Sequence, residues 1–115
     1  MADRDIDIIL MEILETIDQI KLALHGQTFE SFSANWLLKH GVQRGIEIIS
    51  EAARHLPDDV IDASPEVPWK QVKGVGNVLR HEYHRISDRI IWNVAIGHLD
   101  VLRRAMEQFL TEDTT

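Results

Sequence analysis

Ile6-Asp7-Ile8-Ile9-Leu10-Met11-Glu12-Ile13-Leu14-Glu15-Thr16-Ile17-Asp18-Gln19-Ile20-Lys21-Leu22-Ala23-Leu24 decides the fold class. Its apolar residues at Ile6, Ile9, Leu10, Ile13, Ile17, Ile20 and Leu24 recur in steps of three and four, which gathers them on one side of an α-helix. Ile8, Met11, Leu14 and Leu22 widen the stripe, so this helix is expected to meet neighbours on more than one side. Gly26 supplies its stop. The same period returns from about Asn35 to Leu56, with Trp36, Leu37, Val42, Ile46, Ile49, Ala53 and Leu56 inward. It returns again after Ser87-Asp88, with Ile91, Val94, Leu99, Leu102, Met106 and Phe109 on one face. Strand-like alternation is sustained nowhere. The expected fold is all-α, an up-and-down bundle of four to five helices.

The connections read as turns and short helices. Thr28 and Ser33 are both available as N-caps in the segment Thr28–Ser33. Gly41, Gly45 and Ala52 would let a second helix approach the central one closely. Pro57-Asp58-Asp59 ends that helix and can open a short one through Ala63. Ser64-Pro65-Glu66-Val67-Pro68-Trp69 is the clearest punctuation, and Pro68 suits a helix's first turn, where its missing N–H is not needed. A helix over Trp69–Tyr83 is predicted despite Gly74 and Gly76, each of which costs a helix interior about 1 kcal/mol relative to alanine. Such an element needs tertiary support. The polar tail from Thr111 to Thr115 is expected to fray.

A chain of 115 residues accommodates one domain with a true core and leaves little for a second, so residues 1–115 are taken as a single domain. With no cysteine, disulfides and cysteine-based metal or redox sites are excluded. The start Met1-Ala2-Asp3-Arg4-Asp5-Ile6-Asp7 is acidic, unlike a secretory signal, and no run approaches the roughly 18 apolar residues of a membrane span. A cytoplasmic location is expected. The formal charge of −7 argues against broad nucleic-acid binding, and no DNA partner is expected. That charge is unevenly spread: Lys70, Lys73, Arg80, Arg85 and Arg89 face only Glu82 and Asp88 between residues 70 and 89, while the rest of the chain is strongly acidic. This describes either a local anion site or a solvated helix face.

Common catalytic motifs are absent: there is no Walker loop, no His-Glu-x-x-His and no nucleophile elbow. Gly74-Val75-Gly76 lacks the preceding strand of a dinucleotide fingerprint. Glu47 and Glu51, close to Arg44 and Arg54, read as helix-surface ion pairs. Glu51 has no histidine three residues on, as a di-metal bundle requires, so no metal is expected. The unusual stretch is Gly76-Asn77-Val78-Leu79-Arg80-His81-Glu82-Tyr83-His84-Arg85, with an amide, two histidines, two arginines and a phenol. Histidine as a residue type can take and return protons near neutral pH, and arginine stabilises charge developing on a phosphoryl oxygen. Arg80 and His84, four residues apart, share a helix face that Asn77 adjoins. The same residues are also compatible with a polar helix end whose histidines cap carbonyls.

Asn77-Val78-Leu79-Arg80-His81-Glu82-Tyr83 resembles the signature of HepT-like proteins of the HEPN superfamily: an arginine usually followed by asparagine, then a histidine, any residue and a tyrosine. The resemblance covers nearly the whole chain. Ile48-Ile49-Ser50-Glu51-Ala52-Ala53 is similar to the family's isoleucine-glycine-glutamate-alanine segment, with Ser50 in place of glycine. Pro65-Glu66-Val67-Pro68-Trp69 is similar to the segment before the motif helix, and Ile90-Ile91-Trp92 to the opening of the last helix. One departure falls in the motif itself: the family's arginine position holds Gly76. Arg80, one turn on, is the cation nearest to that region.

The resemblance implies a metal-independent endoribonuclease without cofactor, acting as a homodimer whose motif helices meet in a cleft. It implies His81 as general acid/base on an RNA 2′-hydroxyl, with Arg80 as phosphate stabiliser and Asn77 as a positioning group. His84, Arg85 and Lys73 are auxiliary phosphate or RNA contacts. The implied partner is a nucleotidyltransferase antitoxin that adds AMP to Tyr83, making the chain the toxin of a toxin–antitoxin pair. The alternative is a catalytically degenerate module that binds nucleotide or its partner without cleaving RNA. The apolar circumference of the last helix, from Ile90 to Phe109, is expected to supply part of the dimer interface. Arginine at position 76 is expected to raise activity, provided that position faces the cleft and not a packed neighbour.

Overall fold

The computed structural model describes residues 2–82, 84 and 86–113, with side chains described between 5 and 110. Four long rods make the bundle: α1 (Ala2–Leu24), α3 (Trp36–Ala53), α5 (Trp69–Glu82), and a final rod in which α6 (Asp88–Asn93) runs through a π-helical turn (Val94–His98) into α7 (Leu99–Asp113). Two short helices, α2 (Phe29–Ala34) and α4 (Asp58–Ala63), lie in the connections. Among the described residues there is no strand.

Each boundary has a local cause. Past α1, Gly26 takes φ = +78°, the left-handed conformation that glycine adopts without a Cβ clash. Thr28 opens α2 with a capping box closed by Ser31. Ser33, the other expected cap, instead donates to Asp88 across the fold at 2.7 Å. Asn35 caps α3, its side-chain oxygen accepting the Leu38 N–H at 3.0 Å. The loop into α5 is closed by the Trp69 indole N–H, which donates to the Ser64 carbonyl at 2.9 Å in the interior. Ser87 caps α6.

The rods alternate in direction, and the cross-links show it. Lys21 pairs with Asp100 at 2.6 Å, while Asp18, one turn earlier, takes a two-pronged contact from Arg103, one turn later; α1 and α7 are therefore antiparallel. Ser50 meets the Lys73 carbonyl, and Glu47 lies nearest to Gly76 of the atoms beyond Ser50, so α3 and α5 also run oppositely. Between them one contiguous apolar cluster includes Leu10, Ile13, Ile17, Phe32, Val42, Ile49, Ile91, Leu102 and Met106. At about 0.8 kcal/mol per buried methylene, that cluster is the main stabiliser of the bundle.

Three expectations need correction. Gly45 does admit a close neighbour, since a Cβ there would lie 2.8 Å from Ile20 Cδ1, but Gly41 faces open space. In the last rod Ala95, not Val94, takes the deeply buried place after Ile91. Just beyond, the Leu99 N–H reaches back five residues to the Val94 carbonyl, a π turn whose extra residue keeps Leu99 on the core face. Much of the last rod's apolar circumference is used within the fold. Trp92 packs on Phe32 and edge-on to Phe29, most of the rod's other apolar residues are in or against the core, and Ile90 and Ile96 stay exposed. On α3, Trp36 and Leu37, expected inward, are instead exposed, and with Ile8, Met11 and Leu22 of α1 they make up the larger share of the exposed apolar side chains.

Candidate functional site

The motif helix α5 is bound to the bundle by Trp69, Gly76 and Leu79, all buried, with Val72 and Val75 half-buried beside them. Fixing that face leaves the flank beside it open to solvent. At about 100° per residue, Lys73, Asn77, Arg80 and His81 fall on one flank of the helix, and His84 lies just beyond its end. Asn77, Arg80, His81 and His84 are exposed, and Lys73 is half-buried. The structure thus brings four of the seven proposed site residues to one flank of α5, with His84 exposed just past its end. The other two, Tyr83 and Arg85, lie outside the described residues.

Arg80 reaches toward α3, where its guanidinium stands 3.9 Å from Glu51 Oε1. The other oxygen of Glu51 meets His55 Nε2 at 3.3 Å. Glu51 therefore bridges Arg80 and His55, and not the Arg54 that its sequence neighbourhood suggested; Arg44 pairs with Glu47 as expected, at 3.4 Å. These groups, with Glu12 of α1 and the apolar Ile48 and Ala52, line an open cleft of about 520 Å³ between α1, α3 and α5. Exposed pairs at such distances hold weakly, so a phosphate can take the Arg80 guanidinium from Glu51. His55 was not singled out from the sequence, although its place four residues after Glu51 is the spacing that joins side chains on a helix.

Gly76, by contrast, does not open on the cleft. It is buried against α3, where Ser50, itself only 1% exposed, receives its N–H at 3.0 Å. The condition attached to arginine at position 76 is therefore not met: the position faces a tightly packed neighbour. Among the described residues, no three histidine or acidic side chains gather as a metal-ligand set. No helix among them is long and apolar enough to cross a membrane.

The profile of the HepT-like family, described as "Ribonuclease HepT-like", matches residues 13–109, from the middle of α1 into α7. This chain belongs to the HepT-like ribonuclease family. Among its relatives, "Putative RNase MJ1380" of Methanocaldococcus jannaschii is 29% identical over 93% of this chain and 98% of its own length. "Putative RNase TTE0752" of Caldanaerobacter subterraneus subsp. tengcongensis is 31% identical over 91% of this chain and 90% of its own. "Probable ribonuclease HepT" of Thermococcus cleftensis is 28% identical over 86% and 90%, respectively. No solved structure matches the chain. The all-helical bundle is the one expected of a HepT-like, HEPN-type protein, and the stripe from Lys73 to His84 lies within the matched HepT-like region.

Proposed function

We propose that this chain is a metal-independent endoribonuclease acting from the flank of α5, built from residues 1–115 as one HEPN-like domain. The observation that carries the reading is the exposed row Asn77–Arg80–His81 on a helix whose other face is locked into the bundle, in a chain whose relatives are named RNases. His81 takes the proton of an RNA 2′-hydroxyl as that oxygen bonds to the adjacent phosphorus. The bond from phosphorus to the 5′-oxygen breaks, that oxygen receives a proton, and the products are a 2′,3′-cyclic phosphate and a 5′-hydroxyl. Acid/base catalysis of this kind contributes about 10²–10⁴-fold. Arg80 stabilises the charge on the phosphoryl oxygens, Asn77 orients the phosphate, and Lys73, His84 and Arg85 hold flanking phosphates.

The reading extends to regulation. The chain is the cytoplasmic toxin of a toxin–antitoxin pair and works as a homodimer. A nucleotidyltransferase antitoxin silences it: the Tyr83 phenol oxygen bonds to the α-phosphorus of ATP, pyrophosphate leaves, and the phenolic proton passes to base. The added AMP places an anion two residues from His81, which opposes substrate phosphate by charge and bulk. The test is cleavage of single-stranded RNA in EDTA by wild type and His81→Ala, with and without prior incubation with the partner and ATP. Cleavage lost in His81→Ala, and lost in wild type together with a mass gain of one AMP unit, is the expected result. Equal cleavage by His81→Ala ends the catalytic reading, and an unchanged mass with an active partner ends the antitoxin mechanism.

A second reading has one observation in its favour. Gly76 is buried, so the family's arginine position offers no side chain to the site, and the Arg80 guanidinium lies beside Glu51 of α3. A degenerate module that binds nucleotide or partner without cleaving is the outcome if wild type is inactive yet folded.

A further inference from the structure

Two places where this chain departs from the family's sequence pattern, Ser50 and Gly76, touch each other. The Ser50 hydroxyl donates to the Lys73 carbonyl and accepts the Gly76 N–H, both at 3.0 Å. It is the one recorded side chain of α3 that grips the backbone of α5 among the described residues, and it does so on the turn that carries Asn77. Within an α-helix the Lys73 carbonyl also accepts the Asn77 N–H, and the Asn77 carbonyl accepts that of His81. The position of Ser50 is thus transmitted through two hydrogen bonds to the residues of the site.

The same serine closes position 76. A Cβ built there would lie 2.6 Å from Ser50 Oγ and 2.7 Å from Ser50 Cβ, whereas the next nearest atom, the Glu47 carbonyl oxygen, is an ordinary 3.6 Å away. A rotamer change can move the hydroxyl but not the serine Cβ, which is fixed to the backbone of α3. Glycine at position 50 removes both obstructing atoms. Position 76 and Arg80 are one turn apart on the same face, so a guanidinium from 76 would follow the path that Arg80 now takes toward Glu51.

We propose that Ser50 is a positioning residue of the ribonuclease site and that it and Gly76 are interdependent: arginine at 76 becomes a productive part of the site only when Ser50 is replaced by glycine in the same molecule. The proposal rests on the ribonuclease reading for its catalytic half, while its packing half stands without activity.

Thermal melts of the full chain test the packing half in a four-way comparison of wild type, Ser50→Gly, Gly76→Ala and the double variant. Gly76→Ala is expected to lower the midpoint by several degrees in the wild-type background, and to leave it unchanged or raise it when Ser50 is already glycine, since alanine favours helix over glycine. An equal loss in both backgrounds overturns the interdependence. Cleavage of single-stranded RNA in EDTA tests the rest. Ser50→Gly with Gly76→Arg should cleave at least tenfold faster than Ser50→Gly alone, and Gly76→Arg alone should not gain. A double variant no faster than Ser50→Gly, in a background where wild type cleaves, overturns the catalytic half. Ser50→Ala keeps the volume and loses both bonds; it should lower kcat at least threefold with KM within twofold, at a temperature where it is fully folded. An unchanged kcat reduces Ser50 to a packing residue and overturns its positioning role. If no variant cleaves while the melts show interdependence, the ribonuclease reading fails and the packing inference stands.

Discussion

In the proposed chemistry Arg80 is the central cation, because it is the one cation of the motif helix that lines the cleft. Its exposed contact with Glu51 is worth little in water, so the guanidinium is available to an incoming phosphate. Arg80→Ala is expected to reduce kcat/KM for RNA cleavage at least tenfold, about 1.4 kcal/mol of transition-state stabilisation. Arg80→Lys should recover only part of it, since an ammonium cannot present two donors to one phosphate. Steady-state cleavage kinetics on a short RNA decide it, and wild-type values for Arg80→Ala would remove Arg80 from the site. At this scale the sequence was informative about residue types and spacing, so the row Asn77–Arg80–His81 was legible. What could not be read was that Gly76 abuts Ser50, or that Arg80 bends to Glu51. Both depend on the azimuth at which α5 packs on α3, a contact between residues 26 positions apart that no local signal encodes.

Helical elements were legible where their periodicity was long and their ends carried cap chemistry. Asn35 illustrates the second point: it closes the N-terminus of α3, directly after α2, with no other side chain recorded on that turn's free N–H groups. Asn35→Ala should destabilise the protein by about 1 kcal/mol, within a range of roughly 0.5–2, and Asn35→Ser should be nearly neutral. Urea titrations with an unchanged slope measure this directly. A cost near zero for the alanine variant would mean that water caps the helix equally well. In the last rod the expected face left a five-residue step between Val94 and Leu99, which is where the π turn lies; Val94 packs against the core and Ala95, one residue on, is buried deeper. Amphipathic width alone did not separate the apolar residues used within the fold from Ile90 and Ile96, which stay exposed.

Over the whole molecule, two acid–base links tie distant parts of the chain. Asp88 is held below the usual carboxylate range chiefly by the Ser33 hydroxyl, with help from Lys39, which stands 3.3 Å away. Asp18 is lowered chiefly by its hydrogen bond from Arg103, whose own pKa is raised in return. A carboxyl with a depressed folded pKa binds fewer protons folded than unfolded, so its contribution is complete above about pH 4–5 and is lost as pH falls through the folded value. Stability should therefore be flat from neutrality to about pH 5 and decline below pH 4, with a smaller decline in Asp88→Asn; equal acid slopes in denaturant titrations would rule out the Ser33–Asp88–Lys39 link. Assembly belongs to this scale as well. Glu12 and Ile48 line both the Arg80 cleft and the adjoining hollow with exposed Ile8 and Met11, so an apolar face continues directly into the site. Sedimentation at micromolar concentration should show a dimer that Met11→Asp dissociates and Ile96→Asp leaves intact; the reverse pattern would return the interface to the last rod. The π turn, finally, sets how the molecule tolerates a change of length. Ile91 and Leu99 are eight residues apart yet both face the core, one more than two α-helical turns require. Deleting the exposed Ile96 should therefore leave a plain α-helix in which Arg103 and Asp100 still meet Asp18 and Lys21, with little loss of melting temperature. Deleting Arg104, where the helix holds no surplus residue, should swing everything beyond it by about 100° and empty the core of Met106.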